Sequence, residues 1–440
     1  MRERQDVILG GGLAGLSAAY HLQLAGERHW QVYEREARVG GLARTVDTQG
    51  YRFDYGPHIL FTIDKEMEEL IRDLLGDNFH AQERRAYIYH RAHDLYTQFP
   101  FQAHLYGLPI PIVKECLVGL TRAVEAQARG DFTPENYEDW MRGFFGDGIA
   151  DHLMIPYAKK IWTVEPSTMD FSWIGRRVPT PDVERIIQGA LTGEVDQVGA
   201  TAHFWYTKQG GIEPLPKALG ERVCGLHLNS TAVRIELPAK RVVFENGEVV
   251  PFDQLVYTLP LPFIPRFIPD LPPEVERACE GLRYQGIYCV NIGVDREAIS
   301  DKHWIYYYED EFPFHRLSLP ANFSPDTVPA GKSAIATEVA FSDVRPLDRE
   351  TAVQRTIEGL IASRLITPDD NISFVHTEEI LPAYVIYDLS HASNVAIIRE
   401  WLLQYGIRTA GRFGEWQYFN MDHSMRSGKR AVDEILATRS

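Results

Sequence analysis

A glycine-rich turn near the amino terminus constrains the fold of this chain more than any other part of its sequence. Residues 6–9, DVIL, have the apolar run of a short buried strand, and the next segment, GGGLAGLSAAYHLQLAG, is typical of a turn that opens a helix. In it Gly10, Gly12 and Gly15 form the pattern GxGxxG, which lets the backbone turn tightly and aims the helix amino end at a pyrophosphate. The sequence therefore predicts a βαβ unit that binds a dinucleotide.

An acidic residue and a second glycine turn extend this prediction. Residues 30–34 are typical of the second strand, and Glu34 at its end lies where a carboxylate accepts hydrogen bonds from the ribose hydroxyls of adenosine. A bare GxGxxG is often only a glycine-rich turn, but the strand, the helix and Glu34 together favour dinucleotide binding. The pair Gly40-Gly41 follows in RVGGLAR. It favours FAD over NAD, because NAD folds need no second turn there.

Length, charge and cysteine usage limit the class of protein. A chain of 440 residues exceeds what one hydrophobic core usually supports, so we expect two or three lobes. The formal net charge of −16 argues against nucleic acid or a membrane as a partner. The amino terminus lacks a signal-peptide pattern and no long apolar run follows, so we expect a cytoplasmic protein. The cysteines have no metal-ligand spacing, so we expect no metal site and interpret them as buried reduced thiols: Cys116, Cys224, Cys279 and Cys289.

The hydrophobic patterns predict an α/β fold with a Rossmann-like FAD-binding domain, an inserted helical lobe and a sheet-rich lobe. A helix capped by Asp64 should end at Gly76, a hairpin should turn at Asn246-Gly247, and a helix should run from about Ser424 to Ala437. The predicted domains are a discontinuous FAD-binding domain (1–62, 203–258 and 400–440), a mainly helical substrate lobe (103–202) and a sheet-rich substrate lobe (63–102 and 259–399).

The segments RVGGLART and FDYGPHILFT resemble the superfamily of amine oxidases and UDP-galactopyranose mutases. The resemblance implies that GPHI, which contains His58, runs beside the isoalloxazine ring of the flavin. Without it, a lone histidine after a turn proline has even odds of being only structural.

Two further segments resemble the mutase branch of this superfamily. YAKKIWTVEPSTMDFSWIGRRVPTP is similar to the mutase segment with a tryptophan near the flavin and an arginine directed at a diphosphate, here Trp162 and Arg177. HWIYYYEDEFPFHR resembles the stretch whose tyrosine and arginine hold the same diphosphate, here Tyr306 and Arg316, and Tyr384 joins them. Arginine forks match phosphate oxygens, although an isolated arginine is more often a solvated surface residue.

The closing segment, AGRFGEWQYFNMDHSMRSGKRAVDEI, is similar to the mutase terminus, in which an arginine and a tyrosine precede a helix under the flavin. The resemblance assigns those roles to Arg412 and Tyr418. PFQAHL resembles the loop that encloses the nucleotide base, so that Phe101 stacks on the base and Gln102 bonds to it; simple core packing is the alternative for this run.

Together the motifs and the resemblance define a complete candidate site. The catalytic candidates are His58, Arg177, Arg316 and Arg412. The substrate-binding candidates are Phe101, Gln102, Trp162, Arg177, Tyr306, Arg316, Tyr384 and Tyr418. The cofactor-binding candidates are Gly10, Gly12, Leu13, Ala14, Gly15, Glu34, Arg35, Gly41, Leu42, Arg44, Gly56, Pro57, His58, Val233, Gly411, Arg412, Asn420, Met421, Asp422 and Ser424.

The resemblance implies an FAD-dependent mutase that interconverts pyranose and furanose forms of UDP-galactose or a related nucleoside diphosphate sugar. Reduced flavin would attack the anomeric carbon through N5, and NAD(P)H or another donor would keep it reduced. The main alternative is an amine oxidase or protoporphyrinogen oxidase-like enzyme, which shares the glycine motifs and Glu34. A flavin-free binding protein is a third interpretation, against which the intact FAD motifs count. Base, sugar and homo-oligomerisation stay open.

Overall fold

The computed structural model describes residues 5–175, 182–192 and 202–439. Its strands are β1 (Asp6–Leu9), β2 (Trp30–Tyr33), β3 (Thr45–Thr48), β4 (Tyr51–Asp54), β5 (His80–Glu83), β6 (Ala86–His90), β7 (Leu95–Gln98), β8 (His203–Tyr206), β9 (Leu226–His227), β10 (Ala232–Glu236), β11 (Arg241–Phe244), β12 (Val249–Pro251), β13 (Gln254–Tyr257), β14 (Tyr284–Val294), β15 (Trp304–Tyr306), β16 (Arg316–Ser318), β17 (Ser333–Phe341), β18 (Ile372–Val385) and β19 (Ile407–Thr409).

Helices alternate with these strands along the chain. They are α1 (Leu13–Leu24), α2 (Lys65–Leu75), α3 (Ile110–Arg129), α4 (Tyr137–Ile149), α5 (Ile155–Trp162), α6 (Val183–Leu191), α7 (Pro214–Glu221), α8 (Ile264–Phe267), α9 (Pro273–Glu280), α10 (Pro320–Phe323), α11 (Ala352–Ala362), α12 (His391–Leu403), α13 (Gly411–Gly414) and α14 (Met421–Ala437). A π-helical turn, Ala150–Met154, joins α4 to α5.

A five-stranded parallel sheet forms the core of the first lobe, in the order β19-β13-β1-β2-β9. β1 lies at its centre, and its four residues are all buried, as expected for a parallel strand covered on both faces. The glycine turn follows the carboxyl end of β1 and leads into α1. The predicted βαβ unit is therefore confirmed.

A seven-stranded sheet forms the second lobe, in the order β18-β14-β17-β16-β15-β6-β7. Its pairs are antiparallel except for β15 with β6. In the register of this sheet Tyr306 of β15 faces Arg316 of β16, which in turn faces Glu338 of β17. Because neighbours in register lie on the same face of a sheet, these three side chains point to the same side.

Several local predictions are confirmed. Asp64 caps α2 by accepting hydrogen bonds from the backbone N–H groups of Glu66 and Met67. The chain turns at Asn246-Gly247 between β11 and β12. Residues 110–191 include the predicted helices, and α3 and α4 pack closely because Gly148 leaves no side chain between them: an added Cβ would lie 2.4 Å from the carbonyl carbon of residue 115.

Three helices that follow or interrupt the parallel sheet pack on it. α2 falls within the predicted sheet-rich lobe, and its Met67 and Ile71 pack on the lobe of the parallel sheet, against α7 and α14. α9 and α12 also pack on that lobe, because their apolar residues share a buried cluster with residues of β13 and β19. Amphipathic periodicity identifies a helix but does not say which sheet its apolar face covers.

Two smaller expectations also need correction. α14 begins at Met421, three residues before the predicted start. Cys224 is exposed, whereas the other cysteines are buried as expected, and all four are free thiols. Within residues 5–175, 182–192 and 202–439, no helix is long and apolar enough to cross a membrane.

Candidate active site

A cavity of about 1170 Å³ lies between the parallel sheet and the seven-stranded sheet. One end is formed by the glycine turn after β1, and the other by side chains of β15, β16, β17 and β18. Its size lies just above the range of roughly 300 to 1,000 Å³ that small-molecule pockets have. The cavity is therefore large enough for a dinucleotide and a second ligand.

The glycine turn forms a cradle for a diphosphate. Gly10 has a φ of +106°, a conformation that L side chains rarely adopt. A Cβ on Gly15 would lie 2.0 Å from the carbonyl oxygen of Gly10, so only glycine permits this close approach of helix and strand. At Gly12 the nearest protein atom would lie 3.8 Å away, on Gly41. The space beside Gly12 therefore belongs to the cavity and not to the protein core.

Glu34 stands at the end of β2 with only 8% of its surface exposed. Its carboxylate accepts hydrogen bonds from the N–H of Gly11 at 2.7 Å and from the N–H of Glu36 at 2.9 Å. The backbone N–H of Ser230 donates to the carbonyl oxygen of Glu34, which holds residues 230–232 against the same end of the cavity. Each carboxylate oxygen keeps a further lone pair for ribose hydroxyls.

His58 lies on the cavity wall after the Gly56-Pro57 turn. Its Nδ1 lies 2.9 Å from the carbonyl oxygen of Gly56, a contact that requires a proton on Nδ1. Burial lowers the pKa of His58 to about 4, so the ring is neutral at physiological pH. The neutral ring then has Nε2 as a hydrogen-bond acceptor.

The amino end of α14 also reaches the cavity, through Asn420, Met421 and Ser424. Asn420 occupies the N-cap position but makes no capping hydrogen bond with its side chain. The first backbone N–H groups of the helix therefore keep their donor capacity, and the helix dipole favours negative charge at this point. Gly428 holds α14 close to α1, because an added Cβ would lie 2.2 Å from the carbonyl oxygen of Ala14.

Arg412 lies against two tyrosine rings. Its guanidinium carbon is 4.8 Å from the ring centres of both Tyr384 and Tyr418, and these rings stack on each other at 5.6 Å with an angle of 15°. The guanidinium donates to the carbonyl oxygens of Ala383 at 2.9 Å and Phe419 at 3.1 Å. The arrangement fixes two phenols and one cation on the cavity wall.

Arg316 is the second cation of this wall. Glu338 accepts from its Nε at 2.5 Å and from its Nη2 at 2.8 Å. Burial alone would lower the pKa of Arg316, but Glu338 holds it well above its usual value, so the guanidinium stays charged. Within the described chain Nη1 of Arg316 has no hydrogen-bond partner. That edge of the fork is available to an anionic ligand.

These residues fit a flavin dinucleotide. The glycine cradle and Glu34 match a diphosphate and a ribose, and the uncapped amino end of α14 matches a ring system that gains negative charge on reduction. A side chain at Gly12 would enter the cavity. A smaller ligand would not reach both this glycine and the free N–H donors of α14.

Most residues predicted from the sequence line the cavity. They are Gly10, Gly12, Leu13, Ala14, Glu34, Arg35, Gly41, Leu42, Arg44, Gly56, Pro57, His58, Tyr306, Arg316, Tyr384, Gly411, Arg412, Tyr418, Asn420, Met421 and Ser424.

Six of the predicted residues that the structure describes do not line the cavity, and three of these were predicted to bind the cofactor. Gly15 supports the turn from behind. Asp422 is buried, and the cavity wall next to Val233 is formed instead by Ser230, Thr231 and Ala232.

The residues predicted to contact the base, and Trp162, lie outside the cavity lining. Phe101 is 1% exposed because it packs in the helical lobe, and Gln102 beside it does not reach the cavity either. Trp162 lies behind the wall, where its ring packs edge-on against Tyr384 at 5.8 Å. Arg177 lies outside the described residues.

Several residues of the wall lie outside the motifs that predicted the site. Glu338 is a lone carboxylate in the apolar strand SAIATEVAF, a signal that marks a buried charge with a partner. Trp304 lies two residues before Tyr306, so strand periodicity puts it on the same face. Phe263 and Arg266 follow β13 and carried no motif that would have identified them.

Comparisons with known proteins agree with this geometry. The model of a family described as flavin containing amine oxidoreductase matches residues 13–436. The fold is similar to a crystal structure of reduced UDP-galactopyranose mutase, with a TM-score of 0.92 and 29% identity over 99% of this chain and 96% of that one.

Curated relatives are more distant and match over shorter parts. A phytoene dehydrogenase of Streptomyces griseus is 26% identical over 290 residues, which cover 60% of this chain and 56% of that protein. A coproporphyrinogen III oxidase of Mycobacterium tuberculosis is 24% identical over 304 residues, which cover 63% of this chain and 64% of that protein. The chain thus spans between about half and two thirds of the length of these two relatives.

Proposed function

The chain belongs to the flavin containing amine oxidoreductase family, with FAD as the cofactor that the family and the cavity support, and we propose that it is a sugar-nucleotide mutase. The proposed reaction interconverts the pyranose and furanose forms of a nucleoside diphosphate sugar, UDP-galactose or a relative of it. This proposal accounts for a cavity that holds both a dinucleotide cradle and a second, charged wall.

The observation that carries the proposal is the charge and hydrogen-bonding character of that wall. Arg316 and Arg412 lie on it together with the phenols of Tyr306, Tyr384 and Tyr418. Guanidinium forks and phenol hydroxyls are donors suited to a diphosphate. Arg412 would repel an amine, and an apolar substrate would leave its charge without a hydrogen-bond acceptor, so the wall favours an anionic substrate. A porphyrinogen carries carboxylates that the same donors would bind, so the assay below includes porphyrinogens.

In this reaction the protein mainly binds and orients. Bound FAD in its reduced form supplies the nucleophile for the anomeric carbon. Arg316 would hold the diphosphate through its Nη1, and Arg412 would keep the two tyrosine rings in place around it. A diphosphate held in this way remains close enough to recombine with the sugar after ring closure through a different hydroxyl.

His58 would act on a hydroxyl of the ligand, and α14 on the cofactor. The Nε2 of neutral His58 is able to accept a hydrogen bond, so it can orient a hydroxyl in the cavity without adding charge. The free N–H groups at the amino end of α14 would stabilise negative charge on the reduced cofactor. The reaction leaves the redox state unchanged, and we propose NAD(P)H or another donor only for the initial reduction.

The test is a chromatographic assay of the purified holoprotein with UDP-, GDP- and TDP-hexoses. Each sugar nucleotide is incubated with protein whose flavin is oxidised and with protein reduced by dithionite without oxygen. We expect furanose product only with the reduced protein. If no sugar nucleotide reacts and the oxidised protein instead turns over amines or porphyrinogens with oxygen, the chain is an oxidase of its family and the proposal is wrong.

A further inference from the structure

Arg266 is a cation at the edge of the cavity that the diphosphate-binding wall does not include. It lies on α8, and its guanidinium carbon is 3.9 Å from the centre of the Phe263 ring. Both residues line the cavity, and Arg266 is exposed. Within residues 5–175, 182–192 and 202–439, its guanidinium forms no ion pair or hydrogen bond with a protein group.

The position of α8 identifies the end of the cavity to which Arg266 belongs. α8 packs against β10, whose first residue, Ala232, lines the cavity. Two residues earlier, the N–H of Ser230 donates to the carbonyl oxygen of Glu34 at 2.8 Å. Arg266 and Phe263 therefore belong to the end of the cavity that Glu34 and residues 230–232 form.

The neighbouring cations at this end are already paired. Arg38 donates to Glu213 at 2.9 Å, and Arg35 pairs with Glu36 at 3.1 Å. The guanidinium carbon of Arg266 instead lies over an aromatic ring, at 3.9 Å from its centre. Because it is pre-stacked, less conformational entropy remains to be lost when a second flat group covers it.

We propose that Arg266 and Phe263 form the stacking site for the adenine ring of FAD. A purine presents a π face, and a guanidinium attracts such a face through cation–π and stacking interactions. The glycine cradle holds the diphosphate and Glu34 the ribose, so the adenine is the part of the cofactor that extends toward α8. The inference rests on FAD binding and does not depend on the mutase reaction.

The experiment measures binding to the apoprotein, not turnover. The dissociation constants of FAD and of ADP are determined by fluorescence and calorimetric titration for the wild type and for Arg266→Ala, Arg266→Lys and Phe263→Leu. Arg355→Ala is the matched control, because Arg355 is an exposed arginine that does not line the cavity. Thermal unfolding of each apoprotein shows whether the variant is folded.

We expect Arg266→Ala to weaken both FAD and ADP about fivefold to thirtyfold, the range of a cation–π contact between its solvated and desolvated limits. Arg266→Lys, which keeps the charge but loses the planar fork, should recover only part of this loss. The control Arg355→Ala should bind FAD and ADP as tightly as the wild type. Two results would overturn the inference: FAD and ADP constants of Arg266→Ala within twofold of the wild type, or weaker FAD binding with unchanged ADP binding.

Discussion

Glu338 holds Arg316 through two hydrogen bonds, and only 1% of its side chain is exposed. Arg316 is itself only 20% exposed, so the pair removes most of two charges from water. A carboxylate in such a place costs several kcal/mol unless a cation accompanies it. The arginine of the proposed diphosphate site therefore has two tasks, since it neutralises Glu338 and offers Nη1 to the ligand.

Replacing one partner of this pair should lower the stability of the protein even when no ligand is bound. We expect Arg316→Met to lower the free energy of unfolding by about 3 kcal/mol, because Glu338 is then buried without its cation. The double variant Arg316→Met, Glu338→Leu should recover most of that stability. Urea denaturation of the apoproteins measures both effects.

The same variants separate stability from ligand binding. If Arg316 binds the diphosphate, the double variant should regain most of the wild-type stability yet bind UDP at least tenfold more weakly, with its flavin retained. UDP binding restored along with stability would show that Arg316 serves only the fold.

The glycine cradle predicts opposite behaviour for two neighbouring glycines. Gly15→Ala should destabilise the apoprotein, because the new Cβ would lie 2.0 Å from a backbone oxygen. Gly12→Ala should leave the apoprotein nearly as stable as the wild type, since the nearest protein atom lies 3.8 Å away. Its methyl group would instead occupy the space for the diphosphate, so the flavin content after purification should fall sharply. Full flavin content in Gly12→Ala would place the diphosphate elsewhere.

Buried histidines predict a loss of stability in acid. Burial lowers the pKa of each of these to about 4, from an ordinary value near 6.5: His58, His90, His104 and His303. Between those values the unfolded chain binds more protons than the folded one, so stability falls as the pH drops from about 6.5 toward 4. The effect is roughly 1 to 2 kcal/mol for each histidine between pH 7 and 5.

Asp54 acts in the opposite direction, because burial raises its pKa to about 6 and its folded form binds the extra proton. Burial also raises the pKa of Asp6 and Glu309, which act in the same direction as Asp54. Among the described residues these three carboxyls do not offset the seven histidines whose pKa burial lowers, so the net urea midpoint of the apoprotein should fall from pH 7 to pH 5. His90→Gln should reduce that slope. A midpoint that stays level or rises on acidification would contradict the assignment of these histidines as neutral.

The sequence predicted the cofactor half of the site better than the substrate half. Gly10, Gly12 and Glu34 belong to one local motif, so their spacing alone identifies the turn and the ribose acceptor. The Arg316–Glu338 pair forms across two strands 22 residues apart, and only the sheet register brings it together. Local patterns also could not tell that Phe101 packs inward, since an aromatic residue suits a core and a binding surface equally.

The most direct test measures whether the reaction consumes the electrons of the reduced flavin. The holoprotein is reduced without oxygen, mixed with a hundredfold excess of the UDP-sugar, and followed by flavin absorbance and product chromatography together. We expect many furanose products for each flavin, while the absorbance stays that of the reduced form. Reoxidation of the flavin by one equivalent of the sugar nucleotide, or product formation that stops after one turnover, would show that the enzyme transfers electrons to its substrate and would contradict it.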